Sequence, residues 1–189
     1  KDEQDIARIN LLNNITPIDY VSLSFVSDSD ELIRLRNLIE NPDTEIIAKI
    51  ERPVALKNID RILSASDGIM VARGDLGVEI GYECVPFVQN ELVQKALKHD
   101  KECIVATQMM ESMLTNPIPS RADVTDVATA VMQGATHVML SGETAVGKYP
   151  VETVNAQKKV IIETEKYLYS AKSSYLTESI GTLLKENTV

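Results

Sequence analysis

Gly68-Ile69-Met70-Val71-Ala72-Arg73-Gly74-Asp75-Leu76-Gly77 runs from an apolar, β-branched stretch straight into a charged segment punctuated by glycines. The first half has the composition of a buried strand, and the second reads as a turn at that strand's C-terminal end. Glycines there let backbone approach a ligand closely, and exposed N–H groups at such a turn suit an anion. Asp75 would add a hard oxygen ligand for a divalent cation, or simply cap a tight turn.

Outward from this stretch the same grammar repeats. Apolar runs at Val21–Val26, Ile46–Ile50, Ile69–Ala72, Cys103–Ala106 and His137–Leu140 predict five strands. Amphipathic stretches separate them: Leu32, Leu35 and Ile39 share a helical face, as do Leu56, Ile59 and Leu63, and Val88, Leu92 and Ala96. Ser and Asp residues after Asp28 suit a helix start, Pro86 suits a first turn, and Gly134 suits a left-handed helix end after Ala130-Val131-Met132. A last helix is expected from Pro150, with Val154, Ile161 and Leu168 spaced for packing.

Strands alternating with helices predict a parallel sheet with right-handed crossovers. Strand starts recur every ~23 to 35 residues, close to the ~31 expected of eight units in ~250 residues. A doubly wound open sheet competes, without a GxGxxG or Walker A sequence to support it. Asp2–Leu12 reads as a helix with no strand before it, so either the sheet is open or strands that would close a barrel lie outside the chain.

The chain has 189 residues, 44% of them hydrophobic, which suits one sizeable core. No apolar run is long enough to span a bilayer, and the polar, acidic start Lys1-Asp2-Glu3-Gln4-Asp5 does not have the form of a secretory signal. Two cysteines, Cys84 and Cys103, outside any CxxC or Cys/His cluster, fit a cytoplasmic protein with reduced thiols and no zinc site. A net charge of −9 argues against a nucleic-acid surface, though a cleft holding a metal and a few cations still accepts an anionic substrate.

In a parallel barrel the active site lies at the C-terminal ends of the strands. There Ile46–Ile50 leads to Glu51, and a period of two puts Lys49 and Glu51 on one side and Ile46, Ala48 and Ile50 on the other. Such a pair either clamps a phosphoryl group and a metal or forms an ordinary ion pair. Thr107 offers a hydroxyl after the fourth strand, and Met139-Leu140-Ser141-Gly142-Glu143-Thr144 brings Ser141 and Glu143 to the end of the fifth. Met109, Met110 and Met113 read as core filler, and His99 and His137, which lack a partner pattern, as structural.

Ser66–Gly77, Ala106-Thr107-Gln108-Met109, Ser120-Arg121-Ala122-Asp123, Met139–Ala145 and Ile47–Glu51 occur in an order and spacing that resemble the pyruvate kinase family, over about residues 1 to 170. The resemblance implies a (β/α)8 TIM barrel, seen here as five parallel strands with flanking helices. Residues 1–170 would be the C-terminal portion of the catalytic barrel, strands four to eight, beginning in the helix after an inserted domain; 171–189 would be a linker towards a C-terminal domain outside the chain. It implies phosphoryl transfer from phosphoenolpyruvate to ADP in glycolysis, with no nucleic acid or membrane partner, by an enzyme that is homotetrameric when complete. Glu51 and Asp75 match the Mg²⁺ or Mn²⁺ ligands, and Lys49 the lysine that stabilises the moving phosphoryl group. Ala72, Gly74, Asp75 and Thr107 match substrate contacts, and Ser141 and Glu143 a polar pair tied to proton delivery. Arg121 matches a position near an intersubunit face. The ligands of K⁺ would lie outside the chain, so these residues alone are expected to be inactive. Pro53 and Val54 depart from the family's lysine motif just beyond the ligands, and Ile80–Pro86 is less typical. A metal-dependent aldolase or lyase on a related barrel explains Glu51 and Asp75 but not Lys49 with the whole turn; a non-catalytic fragment is the reading from a different class.

Overall fold

A computed structural model describes residues 3–170, so the expectation for 171–189 lies outside the described residues. The elements alternate as expected: α1 (Glu3–Asn13), β1 (Tyr20–Leu23), α2 (Ser29–Leu38), β2 (Glu45–Ile50), α3 (Pro53–Lys57), α4 (Ile59–Ala65), β3 (Gly68–Ala72), α5 (Arg73–Ile80), α6 (Val85–Lys98), β4 (Glu102–Ala106), a 3₁₀ turn (Glu111–Leu114), α7 (Arg121–Gln133), β5 (His137–Met139), α8 (Gly142–Ala145) and α9 (Pro150–Tyr169). They fall into two compact units, one of the described residues up to Thr107 with Gly134–Met139, the other of Gln108–Gln133 with the described residues from Leu140 onward.

The first unit holds the whole sheet. Its five strands are parallel and lie in the order β1-β2-β3-β4-β5. A doubly wound sheet reverses its strand order at a switch point, and none occurs here; steady one-way progression is how a (β/α) barrel is wound. Isoleucine, valine and alanine fill both faces of the central strands, as parallel sheets covered on both sides require. Ile46, Ala48, Ile50, Ile69, Val71, Cys103 and Val105 are buried, with Leu32 and Leu35 of α2, Ile62 and Leu63 of α4, and Leu92, Val93 and Ala96 of α6. Elsewhere in the sheet Ile47, Met70 and Ala106 form a cluster joined by Ile104 and Met139. Lys49 pairs in register with Met70 and Ala72 with Ala106, so β2, β3 and β4 end at one level.

The local signals act as the sequence implied. Asp28 caps α2 by accepting from the Asp30 N–H, Pro86 sits in the first turn of α6, and Gly134 adopts φ 98, where any side chain would be strained. Both cysteines are free; Cys84 is exposed, while burial pushes the Cys103 thiol up to about 12. Thiol titration of the native protein with an aromatic disulfide should therefore count one of these two groups, Cys84, and reach Cys103 only on unfolding.

Three expectations need correction. The first strand stops at Leu23 rather than Val26, because Phe25 turns to φ 56 and sends its N–H to a side chain instead of a ladder. The segment after Ala72 is a helix, α5, rather than a turn; Gly74 and Gly77 lie inside it, and it stops where Gly81 takes φ 87. On α9 the packing face does not run through Val154 and Leu168: Val154 is 49% exposed and Leu168 46%, Ile161 is half-buried, and Thr153, Gln157 and Thr164 are buried. The threonines tolerate burial because each hydroxyl donates to the carbonyl four residues back, Thr153 to Tyr149 at 2.7 Å and Thr164 to Val160 at 2.7 Å.

In the second unit α7 and α9 pack together, and Met109, Met110 and Met113 are fully buried as core filler. Ser120-Arg121-Ala122-Asp123 is a capping box: the Ser120 Oγ accepts the Asp123 N–H at 3.1 Å, and the Asp123 carboxylate accepts the Ser120 N–H at 2.7 Å. The Ser112 hydroxyl also donates to that carboxylate. Burial acts to raise the Asp123 carboxyl, but hydrogen bonds from Ser112 and Ser120 outweigh it and hold the group below its ordinary value of 3.8. A depressed carboxyl contributes stability above the unfolded-state pKa that is lost as pH falls through the folded-state one. Asp123→Asn should therefore lower stability by about 1–2 kcal/mol at pH 7, a cost that shrinks as the pH is lowered through the carboxyl's folded-state titration, as denaturant unfolding over a descending pH series would read.

Candidate active site

The C-terminal end of β2 carries a buried ion pair. Glu51 is 1% exposed, and the Lys49 Nζ stands 2.8 Å from its Oε1. The Phe25 N–H donates to Oε2 at 2.5 Å, and the Lys49 ammonium donates to the Ser24 hydroxyl at 3.1 Å. Phe25 reaches Glu51 because its left-handed backbone turns the N–H toward β2, and the Arg52 guanidinium lies 4.9 Å above the Phe25 ring.

A buried carboxylate needs both oxygens satisfied. Oε1 is met by the Lys49 ammonium alone, at 2.8 Å and without an aligned hydrogen bond. An oxygen of this kind suits a hard divalent cation, which takes carboxylate oxygens and keeps water and substrate oxygens for its other positions. Asp75, the second carboxylate expected of such a site, is exposed in the first turn of α5. Among the described residues no three His, Cys, Asp or Glu side chains cluster as a metal cage; two protein carboxylates are enough for an ion that keeps most of its water.

At the ends of β3 and β4 a second set of contacts forms. Ala72 is buried at the start of α5 with no side-chain cap, and the Gly74 N–H donates to the Thr107 Oγ1 at 2.9 Å. Thr107 adopts φ 71, uncommon for a β-branched residue. The Arg73 Nη2 donates to its carbonyl at 2.5 Å.

Thus Lys49 and Glu51 are in direct contact, Gly74 and Thr107 are in direct contact, and Ala72, Gly74 and Asp75 all lie at the head of α5. Ser141 and Glu143 belong to the second unit. There Glu143 is 1% exposed and accepts the Ser141 N–H at 2.8 Å and the Met110 N–H at 3.2 Å, so each oxygen has a backbone donor. Sequence reasoning assigned nothing to Ser24, Phe25 and Arg73. Their position directly after a strand was a usable signal; Phe25's backbone was not, since phenylalanine is rarely left-handed.

Comparison with known proteins gives the family. The family described as "Pyruvate kinase, barrel domain" matches residues 1–154. The chain is 47% identical over 174 residues to a protein named pyruvate kinase from Thermococcus litoralis, covering 91% of this chain and 37% of that one. To the pyruvate kinase of Geobacillus stearothermophilus it is 49% identical over 154 residues, covering 80% and 26%; to that of Chlamydia muridarum, 46% over 152 residues, covering 79% and 32%. The chain thus spans between a quarter and two fifths of the length of these relatives.

Proposed function

The chain belongs to the pyruvate kinase family, and from that premise we propose that it supplies part of the active site for phosphoryl transfer from phosphoenolpyruvate to ADP, giving pyruvate and ATP in glycolysis. The observation that carries the reading is the buried Lys49–Glu51 pair, 2.8 Å apart at the C-terminal end of β2.

Phosphoryl transfer asks a protein mainly for positioning and charge neutralisation. The Lys49 ammonium has three donors and is held beside Glu51 and Ser24, and a donor not taken by them would serve a phosphoryl oxygen. Glu51 and Asp75 would hold Mg²⁺ or Mn²⁺, which when bound supplies positive charge at the phosphate and the enolate oxygen. Ala72, Gly74 and Asp75 would meet the substrate carboxylate at the head of α5, Asp75 offering a first-turn N–H while the Gly74 N–H is held by the Thr107 Oγ1. Thr107, already bonded to the Gly74 N–H, stands beside the substrate at the end of β4. As the P–O bond of phosphoenolpyruvate breaks, an oxygen of ADP takes the phosphoryl group and the enolate left behind takes a proton at its methylene carbon. Ser141 and Glu143 belong to the proton-delivery side of this scheme, Glu143 fixing the Ser141 backbone. K⁺ as a second cation, a homotetramer and a cytoplasmic location complete the proposal. Among the described residues no helix is long and apolar enough to cross a membrane.

The test follows the γ-phosphate of ATP by phosphorus NMR, in the longest natural polypeptide containing this chain. Transfer from phosphoenolpyruvate to ADP should stop on chelation of divalent metal and return with Mn²⁺. Transfer indifferent to chelation would overturn the proposal.

A further inference from the structure

Thr107 is held in a conformation its side chain disfavours, and the contacts to its backbone carbonyl come from Arg73. A β-branched residue at φ 71 crowds its own backbone, and such outliers persist only where surroundings over-determine them. Arg73 provides those surroundings. Its Nη2 donates to the Thr107 carbonyl at 2.5 Å, its Nε to the same carbonyl at 3.2 Å and to the Ala106 carbonyl at 3.3 Å. Behind the guanidinium the buried Gln89 side chain accepts from Nη1 at 3.4 Å, which fixes the plane of the fork from α6. The next residue closes the loop in the other direction, the Gly74 N–H donating to the Thr107 Oγ1 at 2.9 Å.

We infer that Arg73 is a positioning residue: by clamping the Ala106 and Thr107 carbonyls it keeps Thr107 left-handed and so places the Thr107 hydroxyl over the head of α5. The inference rests on the proposed role of Thr107 beside the substrate. Only a planar fork spans two carbonyls and a side-chain amide at once; a lysine ammonium is a single point donor on a flexible stem. Released from the fork, Thr107 relaxes to negative φ, its hydroxyl swings off the Gly74 N–H, and both substrate-facing groups move together.

The decisive readout is hydrogen exchange at the Gly74 amide, measured at residue resolution in Arg73→Lys and Arg73→Met, with Ile69 and Val71 amides as internal references for intact folding. Loss of the clamp should speed Gly74 exchange about tenfold or more while the reference amides hold their rates. Kinetics in the longest natural polypeptide should show kcat falling between about tenfold and a hundredfold, with the phosphoenolpyruvate KM changing by less than about threefold. A merely stabilising arginine would leave kcat of the folded protein unchanged. Unaltered Gly74 exchange in a folded variant overturns the clamp, whatever the activity. Faster exchange with unchanged kcat overturns the positioning role, and absence of turnover in the unsubstituted protein overturns the functional reading instead.

Discussion

Replacing Lys49 with methionine should lower the rate of phosphoryl transfer by about 10³-fold, with little change in substrate KM. Methionine keeps the length and apolar body of lysine, so packing beside Met70 survives. What disappears is the cation at the end of β2, a charge placed where negative charge moves during transfer and already oriented by Ser24 and Glu51. Preorganised charge acts on the transition state more than on the ground state, hence the effect on kcat. A second consequence separates this from simple loss of a surface lysine. Glu51, 1% exposed in the unsubstituted chain, loses its ionic partner with that ammonium, so stability should also fall, by about 3 kcal/mol. Added Mg²⁺ should restore part of that stability by binding the folded state. Steady-state kinetics beside denaturant unfolding, with and without Mg²⁺, read both effects.

Glu51→Gln should have its largest effect on metal affinity. The amide is nearly isosteric but carries no charge, and one of its two polar ends is a donor facing Lys49. Affinity for Mn²⁺, followed by electron paramagnetic resonance, should weaken by about 100-fold. The Phe25 N–H loses a charged acceptor at the same time, so the left-handed turn after β1 should loosen. Unchanged Mn²⁺ affinity would remove Glu51 from the proposed metal site and leave the pair an ordinary buried ion pair.

Much of the fold was legible because the sheet is buried on both faces. Apolar runs such as Ile46–Ile50 and Ile69–Ala72 have no other economical home, and Asp28, Pro86 and Gly134 mark element boundaries by local chemistry. The Lys49–Glu51 contact was legible for the same reason, since a strand's period of two puts both on one side. The errors share a different origin. The α5 helix looked like a turn because Gly74 and Gly77 are poor helix formers, and position at the end of a buried strand outweighed propensity. The face of α9 was misjudged because threonine hydroxyls satisfy themselves on their own helix and so bury like apolar groups. The contacts of Phe25 and Arg73 depend on left-handed backbone at Phe25 and Thr107, which neither composition nor periodicity encodes.

The most direct measurement of the central claim is pyruvate release from phosphoenolpyruvate by the longest natural polypeptide containing this chain, in Mg²⁺ and K⁺, with ADP present and omitted. The account predicts pyruvate that appears only with ADP, in step with ATP. No pyruvate from a folded, metal-binding protein, or pyruvate formed equally well without ADP, would contradict it.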